Sequence, residues 1–135
     1  MALPNGAGGY QVGDGNLNEV ILGYQAAPLS VTATATLTAA QVASGVLLVG
    51  SGATTAQTYT LPTGASLDAL VTSAKVNSTF ELVLVNLGTS SGTAAFAAGT
   101  GVTDGGNALV AVSATSSGRF LFRRTGDSTW VVYRV

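Results

Sequence analysis

Apolar and hydroxyl side chains alternate through residues 31–38, where Val, Ala or Leu takes every second position and Thr fills the positions between them. A period of two is typical of a β-strand with one buried face, and the β-branched Thr side chain suits the other face. Similar runs recur every eight to twelve residues, separated by Gly, Asn, Asp or Pro. Strand patterns at this spacing limit the chain to an all-β architecture.

About eight strands are predicted, at 31–38, 46–49, 57–61, 79–86, 93–97, 108–114, 119–124 and 129–135. Short strands joined by turns predict an antiparallel β-sandwich with a jelly-roll-like arrangement. The run 79–86 has apolar residues on both faces, which predicts a central strand. Gly126 and Asp127 predict a hairpin turn between the last two strands. A short helical turn is predicted between Thr38, as the N-cap, and Gly45, as the stop.

One helix is predicted over residues 65–74, because four apolar residues recur there at helical spacing (Leu67, Leu70, Val71 and Ala74). Thr63 or Ser66 can cap its N-terminus. Asp68 falls in the first turn, where the helix dipole favours an anion. A helix this short depends on packing for its stability.

Residues 1–29 are predicted to form an N-terminal arm, and residues 30–135 the β-sandwich body. Gly recurs along the arm, and Pro4 and Pro28 bracket it. Disordered tails are poor in hydrophobic residues, so the apolar residues of this arm are unusual for a free tail. We expect the arm to dock onto a partner through its apolar anchors, which are Tyr10, Leu17, Ile21, Leu22 and Tyr24.

The chain has no His, no Cys and a single Lys, and only 8% of its residues are charged. An average soluble domain is about a quarter charged. Because most enzymes use His, Cys, Lys or clustered carboxylates as acids, bases and nucleophiles, this composition argues against an enzyme. The remaining surface of Thr, Ser, Ala and Gly suits a protein that packs against copies of itself or against a larger assembly.

A formal net charge of −1 gives no electrostatic reason to expect binding to nucleic acid or to an anionic membrane. No signal peptide is visible at the start of the sequence. The longest aliphatic run, 46–49, is far too short to span a bilayer. The sequence therefore predicts a protein made in a cytoplasm, with neither nucleic acid nor membrane among its partners.

The run from Asp14 to Glu19 has the D-x-N-x-N spacing that begins a calcium-binding loop. The pattern fails at its sixth position, where Glu19 replaces the required Gly, and at its twelfth, where Gln25 replaces a bidentate Glu. Turns in the arm explain the run better. The Gly-rich stretch 50–52 lacks the Lys that completes a phosphate-binding loop. No metal and no cofactor are expected.

The acidic residues of the body give no visible catalytic pair. Asp68 has a helix-start explanation, while Asp104 and Asp127 have turn explanations, which leaves Glu81 alone. Glycoside hydrolysis requires two carboxylates, and a serine triad requires a His that the chain lacks. An enzyme would require two body carboxylates facing each other in a cleft.

Arginines concentrate near the end of the chain, at Arg119, Arg123, Arg124 and Arg134. Alternation places Arg119 and Arg123 on the opposite strand face from Phe120 and Phe122. Arg is the cation preferred at interfaces, so these side chains belong either to subunit contacts or to solvated surface.

Trp130 has two interpretations of equal weight, an interface anchor or an ordinary core residue. The predicted oligomer interface consists of Arg119, Arg123, Trp130 and Arg134.

The arm run 9–19 is followed along the chain by the runs 37–41, 59–62, 80–88 and 98–102, and then by the run 122–135. The order of these motifs resembles that in small structural proteins of tailed bacteriophages, and the run 9–19 resembles the opening of such proteins. The resemblance covers nearly the whole chain, and the family is that of capsid decoration (cement) or head-fibre proteins.

This resemblance implies a non-enzymatic virion protein, a homotrimer on the outer surface of the capsid, where it stabilises the head. The arm would lie on the major capsid protein and tie neighbouring subunits together. The residues expected to make that contact are Tyr10, Gln11, Asp14, Asn16, Leu17, Glu19, Ile21 and Tyr24.

The alternative is a tail- or fibre-associated module that binds host glycan. Glycan sites present exposed aromatic rings, so this alternative predicts Tyr24, Tyr59, Trp130 or Tyr133 clustered on one exposed surface.

Overall fold

The computed structural model describes residues 22–135, so seven of the eight predicted capsid-binding residues, all but Tyr24, lie outside the described residues. The described chain is mainly β. Its strands are β1 (Leu29–Val31), β2 (Ala35–Thr36), β3 (Val46–Val49), β4 (Gln57–Thr60), β5 (Thr79–Asn86), β6 (Ala94–Ala97), β7 (Val102–Asp104), β8 (Ser117–Gly126) and β9 (Thr129–Arg134). Its helices are α1 (Ala39–Val42) and α2 (Gly64–Leu70).

The first six strands alternate between two sheets. A six-stranded sheet has the order β1-β3-β5-β8-β9-β7, and a three-stranded sheet has the order β2-β4-β6. Each pass of the chain therefore adds one parallel strand to each sheet. Val46 of β3 pairs with Val83 of β5, and Gln57 of β4 pairs with Ala94 of β6. Paired residues are therefore 37 positions apart in the sequence in both sheets.

The predicted antiparallel pairing is wrong for most of the strands. Five of the seven strand pairs are parallel, and only β5 with β8 and β8 with β9 are antiparallel. The antiparallel prediction rested on the short strands and the turn residues between them, which do not specify which strands pair. Instead the connections cross between sheets, and two of them contain α1 and α2, as parallel neighbours require.

The alternating run 31–38 shows how the chain crosses. It was predicted as one strand, but it divides into β1 and β2, which lie in different sheets with a bend at 33–34 between them. Two further predictions near the C-terminus are also wrong. The run 108–114 forms no strand and makes one bridge, from Val112 to Ala94, and β7 was not predicted at all.

The helical predictions are confirmed with shorter bounds. Thr38 caps α1, where its side chain and that of Gln41 form a reciprocal capping box. Thr63 caps α2, and its hydroxyl accepts a hydrogen bond from the backbone of Ser66. The helix ends at Leu70 rather than at residue 74.

Both sheets contribute to one hydrophobic core. Its largest buried side chains are Trp130, Tyr59, Phe120, Phe122, Leu47, Leu67, Leu82 and Leu84. The ring of Phe96, from the three-stranded sheet, meets Phe120 of the six-stranded sheet edge to face at 4.7 Å between centroids. One face of β3, β5, β8 and β9 therefore packs in the core, and the other face of the six-stranded sheet points away from it.

Candidate functional site

The face of the six-stranded sheet that points away from the core is rich in apolar side chains. We call this surface the outer face. Along the middle of β3, β5, β8 and β9, buried residues alternate with residues that are half-buried or exposed. The half-buried apolar residues of the outer face are Val46, Leu48, Val83, Val85, Leu121, Val131 and Tyr133.

The strand register brings these residues together. Leu48 on β3 lies opposite Val85 on β5, and Leu121 on β8 lies opposite Tyr133 on β9. Parallel strands are usually covered on both faces, whereas a sheet with one solvated face carries mainly polar residues there. Apolar residues take about half of the outward-facing positions of these strands, so the outer face carries more apolar surface than a sheet face that is simply solvated.

Two predicted interface residues lie on the outer face. Arg119 is exposed, and its Nε is 4.0 Å from a carboxylate oxygen of Glu81, with both side chains more than half exposed. An ion pair of this kind contributes little to stability. Arg123 is held within the chain, because its guanidinium donates to the Tyr133 hydroxyl at 2.8 Å and to the Asn77 side chain at 2.8 Å.

The other two predicted interface residues lie elsewhere. Trp130 is only 1% exposed and belongs to the core, so the structure favours the core interpretation over an interface anchor. Arg134 sits on the core side of β9, with its guanidinium carbon 5.9 Å from the ring centre of Phe120. The four residues therefore do not form one patch, since Arg119 and Arg123 share a surface that Trp130 and Arg134 do not reach.

A polar cluster that the sequence patterns did not predict surrounds Asp68. Its carboxylate accepts two hydrogen bonds of 2.9 Å from Arg124, one of 2.9 Å from the indole nitrogen of Trp130 and one of 2.7 Å from the backbone of Ser128. The Arg124 hydrogen bonds and the Ser128 backbone hold the pKa of Asp68 well below its ordinary range. Asp68 in turn raises the pKa of Arg124.

One signal in the sequence could have revealed this cluster. Arg124 shares a strand face with Phe120 and Phe122, which are both buried, so its charge needs a partner. The only acidic residue inside the predicted helix was Asp68, which we assigned to the helix dipole. In the structure Asp68 instead joins α2 to the hairpin between β8 and β9, and its four hydrogen bonds leave its oxygens occupied.

Asp104 and Asp127, two further carboxylates of the described chain, each have partners of their own. Asp104 accepts hydrogen bonds of 2.8 Å from the backbones of Gly106 and Ala108, which lower its pKa and confirm the predicted turn. Asp127 lies 3.1 Å from Arg124. Within residues 22–135, no group of three or more His, Cys, Asp or Glu residues could hold a metal ion.

The aromatic residues named for a glycan site do not cluster on one surface. Tyr59 and Trp130 are buried, Tyr24 is 92% exposed in the segment before β1, and Tyr133 lies half-buried on the outer face. Nothing in this arrangement favours the glycan-binding alternative.

The charges of the chain are distributed unevenly over the fold. No charged residue occurs from 20 to 67, a range that covers β1 to β4 and α1. The charged residues of the described chain all come later, from Asp68 onward. One end of both sheets, formed by β1 with β3 and by β2 with β4, is therefore built from uncharged residues alone.

No helix among residues 22–135 is long and apolar enough to cross a membrane. Comparison with known proteins gives no match to any family model, to any curated protein or to any solved structure.

Proposed function

We propose that this chain is a non-enzymatic structural protein of a virion, a capsid decoration (cement) protein that assembles as a homotrimer on the outer capsid surface. The observation that carries the proposal is the outer face of the six-stranded sheet, with its half-buried Val, Leu and Tyr side chains. The motif order that resembles phage decoration proteins supports the assignment to a capsid surface. The uncharged end of the sheets is a second surface suited to close contact with protein.

In the proposed assembly, the outer faces of three copies pack around a threefold axis. Apolar burial drives the association, and it contributes about 25 cal/mol for each Å² of apolar surface removed from water. Arg119 lies opposite Val83 and Glu81 lies opposite Leu121, so this exposed ion pair stands within the proposed contact and would be enclosed by it. We propose for each protomer a two-sheet sandwich, because both sheets pack on one core.

Binding to the capsid is assigned to the arm. The proposed contacts are Tyr10, Gln11, Asp14, Asn16, Leu17, Glu19, Ile21 and Tyr24, and the proposed partner is the major capsid protein. The exposed ring of Tyr24 is available to such a contact in the described chain. Three linked arms would bind several capsid subunits at once, and the linkage would raise the avidity of each trimer.

Sedimentation velocity tests the oligomer. We expect a trimer at micromolar concentration, and we expect Val83→Lys to shift the protein to monomer because it places a charge in the centre of the outer face. Thr58→Lys is the matched control, since Thr58 is an exposed strand residue on the three-stranded sheet. A wild-type protein that sediments as a monomer would contradict the proposed assembly.

Co-sedimentation with heads of the virus that encodes the chain tests the capsid contact. We expect the full chain to bind expanded heads and an Ile21→Asp, Tyr24→Asp variant to bind much more weakly while remaining folded. Equal binding by the two proteins would remove the arm from the proposal.

A further inference from the structure

Among residues 22–135, three charged residues lie on the strands of the outer face, and two of them have no firm contacts. Arg123 is held by three hydrogen bonds, two to the Tyr133 hydroxyl and one to the Asn77 side chain. Glu81 and Arg119 approach each other only to 4.0 Å, which is longer than a hydrogen bond, and both side chains are more than half exposed. The charges of this pair therefore depend on solvent in a single copy of the chain.

The pair lies at the centre of the outer face. Glu81 belongs to β5 and Arg119 to β8, which are the third and fourth strands of the six-stranded sheet. Leu121 lies opposite Glu81, and Val83 lies opposite Arg119, so an apolar side chain accompanies each charge on the neighbouring strand. A partner that covers the middle of this face therefore removes both charges from water.

A charge that is enclosed without a full set of partners weakens the contact that encloses it. In the proposed trimer the covering surface is the outer face of another copy, so it offers the same three charged side chains. Arg123 is already occupied, which leaves Arg119 as the partner for Glu81. Contacts in a cyclic trimer are heterologous, so different sides of one face meet the next copy and the previous one. The β5 side with Glu81 can therefore face the β8 side with Arg119.

We propose that Glu81 of each copy pairs with Arg119 of the next, so that three Glu81 and three Arg119 side chains alternate around the threefold axis. We call this arrangement the charge ring, and it rests on the proposed trimer. Opposite charges accept few registers, whereas Val and Leu side chains accept several, so the charge ring would determine which strands meet. The apolar residues beside the ring exclude water and strengthen the attraction between its charges.

Charge reversal tests the ring by sedimentation velocity on the full-length chain. Glu81→Arg and Arg119→Glu each bring like charges together, so we expect each to raise the concentration at which half the chains are trimeric by about tenfold or more. The chain that carries both substitutions has an alternating ring again and should assemble like the wild type. Thr58→Glu is the control, because Thr58 is exposed on the three-stranded sheet, and it should leave assembly unchanged. Circular dichroism checks that each variant is folded.

A mixing experiment distinguishes pairing between copies from pairing within one copy. Chains carrying Glu81→Arg and chains carrying Arg119→Glu are combined at a concentration where each alone is monomeric. We expect native mass spectrometry to detect trimers that contain both kinds of chain, because opposite charges then meet between unlike copies. These trimers should be weaker than those of the wild type, since two kinds of chain cannot alternate around three positions and one contact joins like copies.

The wild type, the single reversals and the mixture together separate the charge ring from the trimer itself. Single reversals that assemble as strongly as a trimeric wild type would refute the ring and leave the proposed trimer intact. Mixed chains that stay monomeric would show that the pair acts within one chain only, which also refutes the ring. A wild type that stays monomeric would remove the proposed trimer, and the ring with it.

Discussion

Arg124 and Asp68 are 56 residues apart in the sequence, yet they meet through two parallel hydrogen bonds of 2.9 Å each. Paired contacts of this geometry are stronger and more directional than single hydrogen bonds. Trp130 and Ser128 donate to the same carboxylate, so one side chain of α2 fixes the position of the last hairpin. The relationship joins the one longer helix to the edge of the core.

Replacement of Asp68 should therefore destabilise the fold more than its place on a helix surface suggests. Asp68→Asn removes the charge that Arg124 needs and leaves the guanidinium without its main partner. We expect a clear fall in the midpoint of thermal unfolding. Asp127→Asn is the control, because Asp127 is exposed and makes one contact with Arg124, and its effect should be small. Equal effects of the two variants would contradict this account.

The same carboxylate predicts a pH dependence. The pKa of Asp68 lies below its ordinary value of 3.8 in the folded protein, so the folded state resists protonation. The stability that Asp68 contributes is complete above about pH 5 and is lost as the pH falls below the ordinary value toward the folded-state pKa. Urea unfolding at several pH values should show this loss in the wild type and a flatter profile in Asp68→Asn. The free energy of unfolding should still fall somewhat at low pH in both proteins, because the pKa of Asp104 is also lowered.

Tyr59 offers a substitution that should cost nothing. Its hydroxyl is buried beside the backbone of Gly50 and has no hydrogen-bond partner of regular geometry, and burial raises its pKa. Tyr59→Phe removes this unsatisfied group and should leave the free energy of unfolding unchanged or raise it by up to about 1 kcal/mol. Tyr133→Phe is the contrast, because that hydroxyl accepts from Arg123, and it should lower the free energy of unfolding by about 1 kcal/mol. Chemical denaturation measures both.

Gly64 marks a close approach between α2 and the last hairpin. A Cβ at this position would overlap the carbonyl oxygen of Ser128, which is backbone and cannot move freely. Gly64→Ala should lower the free energy of unfolding by about 3 kcal/mol, because the helix must shift. Gly23→Ala is the matched control, since no heavy atom lies within 4 Å of that Cβ, and it should stay within about 0.5 kcal/mol of the wild type.

Asn86 is the buried polar residue at the end of β5. Its amide donates to the carbonyls of Gly92, Val112 and Ser113, and its oxygen accepts from the backbone of Gly88. Asn86→Ala leaves these groups unpaired and should lower the free energy of unfolding by at least about 2 kcal/mol.

Asn107 provides the control for Asn86. It bonds the backbone of Arg134 at an exposed position, where water replaces lost partners. Asn107→Ala should therefore lower the free energy of unfolding by less than Asn86→Ala does. Equilibrium denaturation of both variants under the same conditions measures the difference. A cost equal to that of Asn86→Ala would mean that burial of the amide is not what matters.

The sequence patterns located strands well where apolar alternation was strong. The bounds of β3 and β5 match the predicted runs 46–49 and 79–86, and β5 is central as its two apolar faces indicated. The pairing of strands was harder to predict, because alternation indicates which residues face the core and does not indicate which strand is the neighbour. The run 108–114 failed for a related reason, since Val110 is exposed and only Val112 reaches a strand.

The candidate site was predictable in part. Alternation placed Arg119 and Arg123 on the face opposite Phe120 and Phe122, as the structure has them. It could not show that Arg123 binds Tyr133, because that contact depends on the pairing of β8 with β9. For the Asp68 cluster, alternation indicates only that Arg124 needs a partner near the core; that Asp68, 56 residues away, is the partner depends on packing between distant segments.

The alternation of the early strands between two sheets has a consequence for synthesis on the ribosome. In the six-stranded sheet, β3 can pair with β1 and β5 with β3 as each strand is made. The other edge of β5 pairs with β8, which begins at Ser117. A nascent chain in which β8 has not yet been made therefore displays a long hydrophobic strand with unpaired backbone, a template for association with the wrong neighbour. Productive folding of the six-stranded sheet has to wait for β8, because this strand joins the parallel strands β1, β3 and β5 to β9 and β7.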